Sequence, residues 1–288
     1  MKYCDMKRIL MYLLLFQAAA FMSCEKELMD YEGREGVYFA MQHGDSNRSP
    51  ESWPYQPYSN IDFVRIGLDE VEIPIKIAIT GPVKEYDRVF YVDVNPDSTT
   101  VVLNQHYEAI AREWVIPAGA ISTTVNVHLM RAADLEDEPK TLGLRLTGSD
   151  DLALSFPEWD AIPSLDGGAT VEEFDASLHT LRINDIMVEP EIWRGSIQSG
   201  NRESGLFGAF TRKKMEFLID NLGLTYEDFA SEETMPLARS LLIGSDASTI
   251  LIERYNAGNP ILEDDGRLMF IGSVPWTSYI GVPWVPGP

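Results

Sequence analysis

Cysteine is nearly absent from this 288-residue sequence, which holds two, Cys4 and Cys24. Two thiols cannot build a disulfide framework or an all-cysteine zinc site. Histidine is also scarce: His43, His106, His128 and His179 each stand alone, with no H-E-x-x-H pairing. Nucleophile and phosphate motifs are missing too. There is no G-x-S-x-G, and "GSIQSG" lacks the lysine of a phosphate loop. No apolar run reaches the roughly 20 residues that a membrane-spanning helix needs. Positive charge is short, with 23 Lys and Arg against 45 Asp and Glu, a net charge of −22. That excess repels phosphate backbones and anionic headgroups. It serves solubility first, and a site for cations or cationic peptides is the sharper reading.

What is present begins at the N-terminus. Lys7 and Arg8 precede the apolar stretch "ILMYLLLFQAAAFM", the charge and hydrophobic core of a signal peptide. Small residues follow, then Ser23-Cys24. "FMSC" resembles the relaxed lipobox of Bacteroidota lipoproteins, with Phe21 where Leu, Val or Ile is usual. The resemblance implies cleavage before Cys24 and lipidation of its thiol, so that Cys24 is an anchor. Residues 1–23 are then the signal and residues 24–35 an acidic tether, "CEKELMDYEGRE". In such lipoproteins acids after the cysteine direct export to the outer face of the outer membrane, and Glu25, Glu27 and Asp30 fit in part.

From Gly36 to about residue 188 the signals are those of strands. "EIPIKIAITG" alternates strictly, with Ile73, Ile75, Ile77 and Ile79 on one face. Pro74 lacks a donor, which predicts an edge strand or a bulge. "DRVFYVDVNP" is read through Val89 and Tyr91, "STTVNVHLM" through Val125, Val127 and Leu129, "KTLGLRLTG" through Leu142, Leu144 and Leu146, and "SLHTLRIND" through Leu178, Leu181 and Ile183. Such strands, without a strong helix before about residue 205, predict an antiparallel β-sandwich. Residues 189–288 change character: helical spacing over "GLFGAFTRKKMEFLIDNLG" and "MPLARSLLIGSDASTILIERYNAGN", a turn and strand in "DDGRLMFIGSVPW", then an extended tail. The fold class is mainly β, with a smaller α+β C-terminal module.

The order "HYEAI", "EWVIPAGAISTTVNVHLMR", "DLEDEP" and "TLGLRLTG" resembles the Calx-β-like branch of immunoglobulin sandwiches. With "FGAFTRKK" at 207–214 and "RYNAGNPILEDDG" at 254–266, the chain is similar to a family of Bacteroidota lipoproteins carrying a domain of unknown function. Thr211 stands where that family usually has serine. The resemblance implies a place beside SusC/SusD-like outer-membrane importers, with a TonB-dependent transporter and a SusD-like lipoprotein as partners, and no nucleic acid.

Two residue sets are candidates for binding. Asp134, Glu136, Asp137 and Glu138 are close enough for several oxygens to reach one hard cation, and Calx-β domains of exchangers bind calcium through acids in corresponding loops. The favoured reading is a solvated turn. Trp53, Tyr55 and Tyr58 lie among prolines, and Trp276, Tyr279 and Trp284 crowd the tail, rings able to stack on sugars or grip extended peptides. Packing roles are the alternative for each ring. The expected function is a non-enzymatic surface accessory of nutrient uptake that binds oligopeptide or glycan, or docks on the transporter. A ligand-free spacer and a hydrolase are the competing readings.

Overall fold

The computed structural model describes residues 33–156 and 174–286. The signal segment, Cys24 and most of the tether lie outside the described residues. From Glu35 onward the described residues form one compact unit.

Eleven strands and three α-helices are described. The sandwich uses β1 (Gly36–Phe39), β2 (Tyr58–Asp62), β3 (Glu70–Thr80), β4 (Arg88–Val94), β5 (Glu113–Ile116), β6 (Ser122–Met130), β7 (Lys140–Thr147), β8 (Ala153–Leu154) and β9 (Leu178–Asn184), with the single-turn α1 (Phe63–Ile66) after β2. One sheet runs β6-β3-β1-β8 and the other β2-β9-β7-β4-β5. Most pairs are antiparallel, but β1 with β8 and β2 with β9 are parallel, so both sheets are mixed rather than antiparallel throughout. Each exception lies at the margin of its sheet, where a strand arrives by a long crossover.

Alternation sets the core. Ile75, Ile77, Val125, Val127, Leu129, Leu142, Leu144, Leu181 and Ile183 are fully buried between the sheets. Each contributes about 1.5–3 kcal/mol through removal from water. Two strands depart from the expected phase. On β4 the inward residues are Arg88, Phe90 and Val92, while Val89 and Tyr91 face outward. Arg88 takes a core position because its guanidinium donates to the main-chain carbonyls of Pro82 (3.3 Å) and Ala120 (3.0 Å), with Glu35 3.6 Å away. On β9 the buried face begins at His179, not Leu178. Pro74 pairs with Asn126 of β6, while β1 reaches β3 only from Ile77 onward, so Pro74 sits on a locally bare margin, as its missing donor requires. The Pro117–Ala120 turn closes with the Ala120 N–H donating to the Pro117 carbonyl (3.0 Å) and Gly119 at φ 78°.

The C-terminal module holds the hairpin β10 (Gly195–Gln198) and β11 (Arg202–Gly205), then α2 (Arg212–Leu222) and α3 (Leu237–Asn256). Helix α2 starts later than the periodicity suggests. Thr211 caps it by accepting from the Lys214 N–H, and Gly223 ends it at φ 63°. Phe207 and Phe210 therefore belong to the preceding loop. The strand expected after Asp264 is reduced to a single bridge, Leu262 with Leu268, across a turn at Gly266. Trp193, Phe207, Phe229, Met215 and Met269 form the core here, joined by Val64 from α1. Asp185, just after β9, is 1 % exposed and accepts from Arg131 of the sandwich at 2.9 Å twice and from Arg212 of α2 at 2.7 Å.

Candidate functional site

The segment between β1 and β2, residues 40–57, crosses one end of the sandwich and folds back on itself. Its main chain is paired internally: the His43 N–H donates to the Pro54 carbonyl (3.2 Å) and the Gln56 N–H to that of Met41 (2.9 Å). Gln42 also donates from its side chain to the Trp53 carbonyl at 2.8 Å. The Trp53 indole is fixed by its own N–H donating to the Asp45 carbonyl (2.8 Å) and lies against Gly44, where a Cβ would approach the ring to 2.7 Å. Only glycine lets the indole pack so close to the main chain.

Two adjoining hollows flank this segment. One, of about 510 Å³, is lined by Met41 to Asp45, Gln56 and Tyr58 to Asn60. The other, of about 480 Å³, lies over the outer face of the four-stranded sheet between Trp53, Pro50, Lys76 and Thr124. Met41 and Gln42 belong to both and form the ridge between them. Volumes in this range suit small ligands.

One lining residue of the first hollow, Ser59, meets a buried histidine of β9. Ser59 Oγ lies 3.0 Å from His179 Nε2. Burial pushes the His179 pKa down to about 4, outweighing the opposing effect of the Gln56 main chain, so the ring is neutral at pH 7. His179 Nδ1 and Gln56 Oε1 are both buried without a hydrogen-bond partner among the described residues. Sequence reasoning missed this group. His179 reads as one more alternating strand position, and its partner lies 120 residues away.

The structure thus brings Trp53 and Tyr58 to the two hollows. Tyr58 is covered by the Arg182 guanidinium, 3.7 Å from its ring centroid. Tyr55 packs edge-on against Tyr38 at 6.2 Å. The tail aromatics form a separate group. Trp276 stacks on Tyr255 (5.1 Å) and donates to the Met269 carbonyl (3.0 Å), while Trp284 meets the same tyrosine edge-on at 6.0 Å. Tyr279 is exposed, and none of the three lines either hollow.

The acidic turn does not converge. Asp134 faces His106 (2.8 Å) and Lys140 (3.5 Å), Glu138 faces Lys140 (2.8 Å), and Glu136 faces Arg212 (3.2 Å). Asp137 joins no such pair among the described residues. Buried His106 accepts at Nδ1 from the Val102 N–H, so its Nε2 carries the proton and donates to Asp134. That hydrogen bond holds the Asp134 carboxyl below the usual range. Among the described residues no three His, Cys, Asp or Glu side chains gather as a metal site. These acids therefore face basic side chains, with Lys140 shared by Asp134 and Glu138, and among the described residues they do not gather around one point.

The two C-terminal motifs meet in one buried knot. Lys214 donates to Glu203 (2.7 Å) and the Ala209 carbonyl (2.8 Å), Arg267 and Ser278 donate to Glu203 (3.1 and 2.6 Å), and Thr211 donates to Glu263 (2.8 Å). Lys214 and Glu203 side chains are fully buried. This knot fastens β11, α2 and the 263–267 turn together.

Residues 31–163 match the model of a domain of unknown function (DUF4843). The chain is similar to the solved apo-form Calx CBD1 domain, with 13% identity and a TM-score of 0.33 over 54% of this chain and 100% of that one. CBD12 from CALX1.2 gives 12% and 0.33 over 52% and 44%. A protein of unknown function from Bacteroides ovatus gives 10% and 0.34 over 67% and 62%, so the chain spans under two thirds of these last two. No curated protein matches the chain.

Proposed function

We propose that this protein is a non-enzymatic, lipid-anchored accessory of nutrient uptake, held at the outer face of the outer membrane through Cys24. It captures an oligopeptide or glycan for a SusC/SusD-like importer. The observation that carries the reading is the pair of adjoining hollows around Trp53 and Tyr58, with the indole fixed in place before any ligand arrives. A rigid ring costs little further ordering on binding. The anchor rests on the charged and apolar run ending at Ser23-Cys24. Affinity purification from native outer membranes tests the assignment. Recovery of a TonB-dependent transporter and a SusD-like lipoprotein is expected, and recovery of the protein alone would remove the importer from the reading.

A hydrolytic role is the second reading, because Ser59 Oγ and His179 Nε2 stand at nucleophile–base distance. No carboxylate orients His179 among the described residues, and this weighs for binding over catalysis. Turnover of a nitrophenyl ester that disappears in Ser59→Ala would reverse that preference.

A further inference from the structure

We infer that the hollow beside Tyr58 takes a short extended peptide as one added strand on the bare edge of β2, held chiefly through main-chain hydrogen bonds. The inference rests on the capture reading above and names its ligand class.

Topology leaves that edge open. β2 is the outermost strand of its sheet, with β9 on one side and no strand on the other among the described residues. The Pro57 carbonyl accepts from the Thr180 N–H of β9 at 2.9 Å. Alternation then turns the main-chain groups of Ser59 and Ile61 toward β9, and those of Tyr58 and Asn60 away from it. Tyr58, Ser59 and Asn60 line the hollow, so the outward groups face it. Just upstream the same chain already carries a short addition, residues 41–43 lying antiparallel on residues 54–56.

The walls select the occupant. Strand edges commonly carry charge or proline against newcomers, and Tyr58, Ser59 and Asn60 carry neither. Residues 41–45 form the opposite wall of the hollow, which holds about 510 Å³. Three edge residues at about 3.3 Å each pair with a peptide of about three or four residues. A second copy of this chain would bring a whole sheet, and its next strand, about 4.8 Å further out, would meet that wall. A single extended chain adds its N–H and C=O groups to the edge without that collision, and this is how peptides join sheets.

Charge sets a side-chain preference. Arg182 stands beside Asn60 in the register, and its guanidinium lies 3.7 Å from the Tyr58 ring centroid. It joins no carboxylate among the described residues, so an acidic side chain on the added strand gains a partner there. Asp45 is the one acid in the lining, and the Asn47 N–H and side chain already engage it, both at 2.9 Å. The net charge of −22 opposes an acidic peptide at long range. At physiological salt, exposed charges beyond about 8 Å are largely screened, and the contact at Arg182 prevails.

Calorimetry on the full-length protein in detergent, at physiological salt, tests this. The probes are end-capped tetra-alanine, the same peptide with one Glu or one Lys, tetra-alanine N-methylated at every amide, and maltotriose. The unmethylated peptides are expected to bind, and N-methylation should weaken tetra-alanine at least about tenfold through lost ladder bonds. The Glu peptide should bind about two- to fivefold tighter than the Lys peptide, a difference that Arg182→Gln removes. Asn60→Pro deletes an outward N–H that β9 does not use, at an edge where proline is tolerated, and should weaken binding about tenfold. Should that variant not fold, the methylated peptide on the wild type still decides. Equal binding of methylated and unmethylated tetra-alanine would overturn the inference, because the edge would then not be read. Preference for maltotriose would overturn it while leaving the capture reading intact. If no probe binds, the inference fails, and recovery or loss of the transporter on purification then decides the capture reading separately.

Discussion

The sandwich and the C-terminal module are held by different means. Between the sheets the buried residues are almost all aliphatic or aromatic, and Arg88 is the main charged exception. The module also has an apolar core, but beside it Lys214, Glu203, Glu263 and Arg267 are buried together. Regular strands can be positioned by alternation alone, because every second side chain points inward. The module has one hairpin of two four-residue strands, two helices and long irregular connections, and periodicity cannot set how these meet. Directional charge-assisted hydrogen bonds do so instead. The lesson is that geometry repeated along a strand needs few specific contacts, and geometry made once needs many.

The largest test of that contrast is Lys214→Met. It takes from buried Glu203 its nearest cation, leaving Arg267 and Ser278, and should cost about 3–4 kcal/mol. Denaturant unfolding measures it, and a loss under 1 kcal/mol would mean that the knot is not what holds the module. Leu144→Ala should cost about 3 kcal/mol by leaving a void between the sheets. It should not alter how stability varies with acid, whereas the knot variants should. Asp185→Asn weakens hydrogen bonds from two guanidinium groups across the junction and should cost about 2 kcal/mol. Separation of one unfolding transition into two would identify it as the link between the regions. Thr211→Ala removes the α2 cap and the donor to Glu263, for about 1–2 kcal/mol.

The pH response follows from Glu203. Burial raises its pKa, but the Lys214 charge and hydrogen bonds from Lys214, Ser278 and Arg267 outweigh that and bring it below 4.5. A carboxyl lowered on folding contributes stability that is fully present above 4.5 and is lost as pH falls through the folded value. Acid unfolding of the wild type should begin below about pH 4.5, and in Lys214→Met that dependence should flatten.

The sequence made much of the sandwich legible. The isoleucines of β3 and the leucines of β7 lie where alternation puts them. Two phases were misread for one reason: a polar residue, Arg88 or His179, occupies an inward position because of partners distant in the chain. The grouping of Trp53 and Tyr58 near the two hollows was visible as rings among prolines. Ser59, Gln56 and His179 were not, since pairing across 120 positions leaves no local trace. For the same reason the acidic turn, read first as a solvated turn, left a ligand set open as the alternative. Spacing shows that carboxylates are near one another, and it does not show which cations they face.

Pro74 carries a consequence for life in a crowd. Along Glu70 to Lys76, β3 has β6 on one side and no strand on the other among the described residues. Such a margin invites a neighbouring molecule to extend the sheet, and sheets extended in this way grow into aggregates. Proline at its centre offers no N–H to the newcomer, and Glu72 beside it brings a charge. Copies packed densely together can therefore collide along this margin and part again.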